Sequence, residues 1–257
     1  MELIKSATSR NRLSNIGHIG LNLLYVAFVV LLLLSFEGPY LAYGVVLLSK
    51  WRIFAVRPRF WRANIQTNFV DIMFALGVVT LMWQNTNNKA IVIGLAGLFA
   101  VWLIFIKPSS KQFWIVIQAG LAQFVGLSAL FTVAHTLPNI AVAASGGVIG
   151  YFVARHVVHV YSEELDDVTI SMVWGLVLAE LSWLTFFWTV AYTPLKITQI
   201  AIVASLLGYM VLVVYNYLYH RERGTAVHRD LTLPVAFSLT GITLLLILFN
   251  FFDPTSL

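Results

Sequence analysis

The sequence predicts an all-α polytopic membrane protein of about nine spans, with its N-terminus in the cytoplasm and its C-terminus outside. Three observations predict this. Sixty per cent of the 257 residues are hydrophobic and 11% are charged, whereas a soluble domain has roughly 45 to 50% and about 25%. The chain divides into nine apolar stretches, and 14 of its 16 Lys and Arg fall in alternate gaps between them. Lys and Arg held on one side of successive spans set the orientation of a membrane protein. Nine helices of about 20 residues each would consume most of the chain, so residues 1–257 are read as a single integral membrane domain with no separate soluble domain.

The first span, 17–36, follows Lys5, Arg10 and Arg12. Its apolar run is long for a secretory signal, and Ser35-Phe36-Glu37 offers no small-x-small cleavage site, so it reads as a retained helix. Glu37-Gly38-Pro39 ends it and opens span 39–56, whose uninterrupted apolar core, Tyr40 to Ser49, has the length of a re-entrant segment. Charge favours a full crossing there. Were the segment to turn back, the loop carrying Lys50, Arg52, Arg57, Arg59 and Arg62 would face the wrong side, leaving eight spans; Lys50 and Arg52 are expected instead to snorkel to the cytoplasmic headgroups. Spans 65–84 and 88–106 meet at the polar run Gln84 to Lys89, and Lys107-Pro108-Ser109-Ser110-Lys111 separates the latter from span 112–134. Thr136-Leu137-Pro138-Asn139 precedes span 138–160, Thr193-Pro194 divides spans 168–191 and 196–219, and the charged stretch His220 to Asp230 leads to span 231–252. Proline and glycine end helices at these points through a missing donor or a missing side-chain constraint.

Orientation follows from the later charges. Lys107, Lys111, Arg155, Arg221, Arg223 and Arg229 join the N-terminal and first-loop cations on one side, and only Lys89 and Lys196 lie on the other. The net charge of +5 is therefore spent on membrane orientation, with the lipid bilayer as the partner it implies and no nucleic acid. Cysteine is absent, which excludes disulfides, thiolate metal sites and a cysteine nucleophile within the chain.

Ser49-Lys50-Trp51-Arg52, Val56-Arg57-Pro58-Arg59-Phe60-Trp61, Ala63-Asn64 and Asn68-Phe69-Val70-Asp71 form a distinctive run. Between Leu48 and Asp71 the chain resembles a segment of uncharacterised multi-pass membrane proteins of small-genome, host-dependent bacteria. The resemblance implies a bacterial inner (cytoplasmic) membrane and carries no activity with it.

Two acids lie inside spans. Glu180 stands about 12 residues into its span, near the expected midplane, and Asp71 lies on the order of 9 Å below the cytoplasmic edge, where Arg62 or headgroup cations are expected to pair with it. A charge at such depth costs at least roughly 2.5 to 3.5 kcal/mol, so these carboxyls are expected to face a bundle interior or a wet cavity. They are buried titratable candidates for a proton or cation relay, or neutral acids hydrogen-bonded to neighbouring helices.

The densest polar group is Arg155, His156, His159, Glu163, Glu164, Asp166 and Asp167. If one helix runs through it, His156, His159, Glu163 and Asp167 share a face within about 80 degrees. His156, His159 and Glu163 are then possible ligands for zinc, manganese or iron, but the spacing matches no recognised metal site, and no metal or cofactor is assigned. The alternative is that Ser162 caps the end of one helix and Asp166 or Asp167 the start of the next. Ala143, Gly146, Gly147, Gly150 and Ala154 make a small-residue seam, suited to close helix approach within the chain, between copies, or with another membrane protein. His18 and Asn22, four residues apart, and Asn68 are candidates for a shared polar core. No lysine stands in the middle of a span, which excludes a covalently bound retinal.

Three function classes remain. The first is a transporter-like or permeation protein for a small solute or proton, with Glu180 as the buried titratable group and Asp71 in a cytoplasmic vestibule. The second is a non-catalytic subunit or scaffold docking through the small-residue seam. The third is a membrane-embedded enzyme acting on a lipid-linked substrate through the histidines and acids near His156.

Overall fold

The computed structural model describes residues 2–53, 55–159, 167–187, 190–192, 194–222 and 232–249. These form α1 (Glu2–Ser35), α2 (Tyr40–Leu48), α3 (Trp61–Gln84), α4 (Lys89–Val101), α5 (Gln112–Thr132), α6 (Asn139–Val158), α7 (Asp167–Thr185), α8 (Gln199–Glu222) and α9 (Thr232–Phe249). A two-residue hairpin, β1 (Ala191–Tyr192) and β2 (Ile197–Thr198), links α7 to α8. Among the described residues, seven helices are long and apolar enough to cross a membrane. They lie within α1, α3, α4 with the turn that follows it, α5, α6, α7 and α8. The described apolar part of α9 is Leu233–Leu245.

The chain forms two compact units, Met1–Gln118 and Ala119–Leu257. In the first, α1 to α4 pack around Val29, Leu33, Val46, Val70, Phe74, Val79, Met82, Val92, Phe99 and Trp102, all at most 4% exposed. Phe74 and Trp102 stack face to face, 3.7 Å between centroids. Phe99 takes the edge of Tyr25 from α1 at 5.8 Å.

The expected span 39–56 takes a different form. Gly38, at φ 147°, supplies a turn that an L side chain resists, and Pro39 then starts α2. The helix has only nine residues, about 13.5 Å, which is less than half of the hydrocarbon thickness. It descends antiparallel to α3, with Tyr43 bonded to Thr80 at 2.7 Å and Lys50 reaching Asp71. Beyond Leu48 the chain goes on through 3-10 turns at Trp51–Ile53 and Pro58–Phe60. Exposed backbone polar groups are not tolerated in a bilayer, and here side chains cover them. Ser49 Oγ donates to the Val46 carbonyl, Asn64 Nδ2 to that of Ile53, and Trp61 Nε1 to that of Val56.

The second unit is organised by α6 and α7. They run antiparallel, and the small residues of both let the backbones meet. A Cβ on Gly150 would stand 3.0 Å from the Trp174 carbonyl, and one on Gly175 would stand 2.9 Å from the Gly147 carbonyl. Gly146 lies against Ser182 and Gly147 against Ala179. The seam expected from Ala143, Gly146, Gly147, Gly150 and Ala154 is thus occupied by α7 of the same chain through its glycines, and that face is not free for another subunit. Gln123 of α5 ties the unit together, donating to the Ala204 carbonyl of α8 and accepting from Trp174 Nε1 of α7, both at 3.0 Å. The expected span 168–191 ends early, at Thr185. The hairpin that follows holds Lys196 at φ 55°.

Candidate functional site

In the N-terminal unit, three charged side chains converge where α2 stops. Asp71 projects from α3 and is 8% exposed. Its Oδ2 accepts from Lys50, just past the end of α2, and from Lys107 at 2.8 Å. Its Oδ1 accepts from Trp102 Nε1 at 2.9 Å. Lys50 is nearly enclosed, 10% exposed at the side chain, while Lys107 is 40% exposed. One carboxylate thus serves two ammonium groups, leaving a surplus of one positive charge.

Local backbone geometry makes this convergence possible. At the end of α4 the chain widens into a π turn, Trp102–Ile106, closed by the Lys107 amide donating to the Trp102 carbonyl at 2.8 Å. In an α-helix, a residue five places on is displaced by roughly 140° around the axis. The five-residue closure instead sets Lys107 one turn beyond Trp102 on the same face, so both reach Asp71. Insertions of this kind recur at functional sites.

A cavity of about 400 Å³ opens beside the cluster, lined by Ser49, Lys50, Ile53, Asn64, Asn68 and Lys107. Asp71 is not part of its wall. Each ammonium carries three N–H donors and spends one on Asp71, so two on each have no protein acceptor among the described residues. Asn68 Nδ2 donates to the Asn64 carbonyl at 2.9 Å. Farther along α3 and α4, Phe74, Val78, Val79, Met82 and Phe99 are buried and close the interior with apolar side chains.

Other expected sites resolve differently. Asp71 pairs with two lysines from neighbouring segments, and Lys50 turns inward to it where snorkelling to headgroups was expected. One lysine, Lys50, is thus enclosed, although it stands past the end of α2 and not in the middle of a span. Glu180 is exposed on the outward face of α7, alongside Leu176, Trp183 and Leu184. The opposite face of α7 is taken up by α6, so Glu180 does not point into the unit. His18 and Asn22 bond each other at 3.2 Å on an exposed part of α1 and do not join Asn68 in the cavity wall.

The single helical face expected for His156, His159, Glu163 and Asp167 does not form. α6 ends at Val158, His159 caps it, and Asp167 belongs to the first turn of α7. Asp167 approaches Arg155 at 3.4 Å. Glu163 lies outside the described residues, as do Ser162, Glu164 and Asp166. Among the described residues no group of three His, Cys, Asp or Glu is arranged to hold a metal ion.

Lys50, Lys107, Trp102, Ser49 and Asn64 are the site residues that sequence reasoning missed. Both lysines had already been accounted for as orientation charges. A signal was present in the short apolar run before Lys50, which left that cation within reach of an acid. Comparison with protein-family models, with curated proteins and with solved structures finds no match.

Proposed function

We propose that the protein is a transporter-like or permeation protein of a bacterial inner membrane, and that a small solute enters it through the cavity beside Lys50 and Lys107. The observation that carries this is the interruption of α2. A chain that stops its helix after nine residues and lines a polar cavity with the irregular segment that follows uses the device by which discontinuous helices build solute sites in membranes. Charge alternation supports a cytoplasmic N-terminus, with α2 and the turns after it serving together as the second of nine crossings. The cavity mouth, at the more exposed Lys107, then faces the cytoplasm, and Phe74, Phe99 and Met82 close the far side. Transport requires this apolar plug to part.

The absence of cysteine makes the test direct. Asn68→Cys and Asn64→Cys should react with a membrane-impermeant thiol reagent from the cytoplasmic side in inverted vesicles, while Val79→Cys should not. In proteoliposomes, the same reagent on Asn68→Cys should block osmotic entry of small polar solutes. Unreactive cysteines at both positions, or solute entry indifferent to the label, would remove the cavity from any permeation path.

A further inference from the structure

We infer that the group bound in this cavity is a phosphate, either as a small phosphorylated solute or as the head of a lipid. The inference deepens the permeation reading and rests on the same cavity. Its first ground is charge. Two ammonium groups share one carboxylate, and the more buried of them, Lys50, is open to water only through the cavity it lines. A surplus positive charge in a low-dielectric surround is costly until an anion neutralises it.

The second ground is the supply of hydrogen bonds. Asp71 stands outside the cavity wall and is held by Trp102 on its other oxygen. It binds the lysines from behind, and the ammonium donors it does not use remain available to the cavity they line. No carboxylate is among the described lining residues, so the wall favours an anion over a metal ion or an organic cation. Asn64 and Asn68 add amide groups at the same wall.

Geometry separates phosphate from carboxylate. A planar carboxylate is matched best by the flat fork of arginine, whereas lysine acts as a rotatable point donor and suits a tetrahedral oxyanion. Among the described residues the lining offers two lysines and no arginine. Its volume, about 400 Å³, lies toward the lower end of small-molecule pockets, roughly 300 to 1,000 Å³, which fits a phosphate with a short substituent.

The test uses the full chain in detergent, with inorganic phosphate and a short-chain phosphatidic acid as separate probes in titration calorimetry. Saturable binding of either supports the inference, and preference between the two assigns free solute or lipid head. Lys107→Gln keeps the neutral Lys50–Asp71 pair but removes the surplus charge, and should weaken binding at least about tenfold. Lys107→Arg, which restores the charge, should recover most of it. Absence of binding by wild type, or unchanged affinity in Lys107→Gln, overturns the inference. Phosphate flux into proteoliposomes separates the two readings. Binding without flux removes permeation and leaves the phosphate site standing, whereas solute flux with no phosphate binding removes the phosphate site alone.

Discussion

Replacing Asp71 with Asn strips the acceptor from two lysines at once, and the cost can be worked from their surroundings. Lys50 is 10% exposed at the side chain and loses its ion-pair partner, with only the cavity it lines left to solvate it. Breaking a buried pair from one side costs about 3 to 5 kcal/mol, because the remaining charge is left uncompensated. Lys107, at 40% exposure, can turn outward and adds little. Lys50→Met alone should be mild, about 1 kcal/mol, since Asp71 keeps Lys107 and Trp102. The double variant Lys50→Met, Asp71→Asn removes the orphaned ammonium and should return to within about 1 to 2 kcal/mol of wild type. The two substitutions are therefore strongly non-additive, with the double variant more stable than Asp71→Asn by about 1 to 4 kcal/mol. Denaturant unfolding in a single detergent, followed through the intrinsic fluorescence of the eight tryptophans, measures all four proteins on one scale. A double variant no more stable than Asp71→Asn would show that Lys50 is not the charge Asp71 holds, and the account of the site would fail with it.

Four further outcomes follow from the structure. Trp102→Phe keeps the ring stacked on Phe74 but removes the donor to Asp71 Oδ1, and unfolding should show a loss of about 1 to 2 kcal/mol. Gly175→Ala places a Cβ 2.9 Å from the Gly147 carbonyl, where neither backbone can yield locally; forcing α6 and α7 apart should cost about 1 to 3 kcal/mol in the same assay. The adjacent outward-facing substitution Met172→Ala should stay within about 0.5 kcal/mol of wild type. Glu180→Gln should leave both solute entry and phosphate binding unchanged, because the side chain faces away from its unit; loss of entry in this variant would return Glu180 to the permeation mechanism.

Much of the architecture was legible because bilayer solvation acts on composition one segment at a time. Seven of the expected spans correspond to helices of crossing length, and the breaks at Pro39, Asn88 and Pro138 coincide with helix starts. The seam of Gly146, Gly147 and Gly150 was visible as a packing surface, since small residues at four-residue spacing carry that meaning wherever they occur. Its partner was not, because a seam reads the same whether it meets α7 or a second copy. Glu180 misled for a related reason. Depth along a span can be counted in residues, but rotation about the helix axis is settled by the neighbour that takes the opposite face.

By itself, the sequence determined the solvent, the helical content, the positions of the breaks and the asymmetry of basic charge, all of which depend on local composition. The site belongs to the tertiary structure alone. It needs α2 to stop beside the middle of α3, a π turn to bring Lys107 under Trp102, and Asp71 to collect donors from 21, 31 and 36 residues away. No local pattern records these meetings, because a lysine at the end of an apolar run looks the same in sequence whether it reaches outward to headgroups or inward to a carboxylate. The energy that decides between them comes from a partner on another helix.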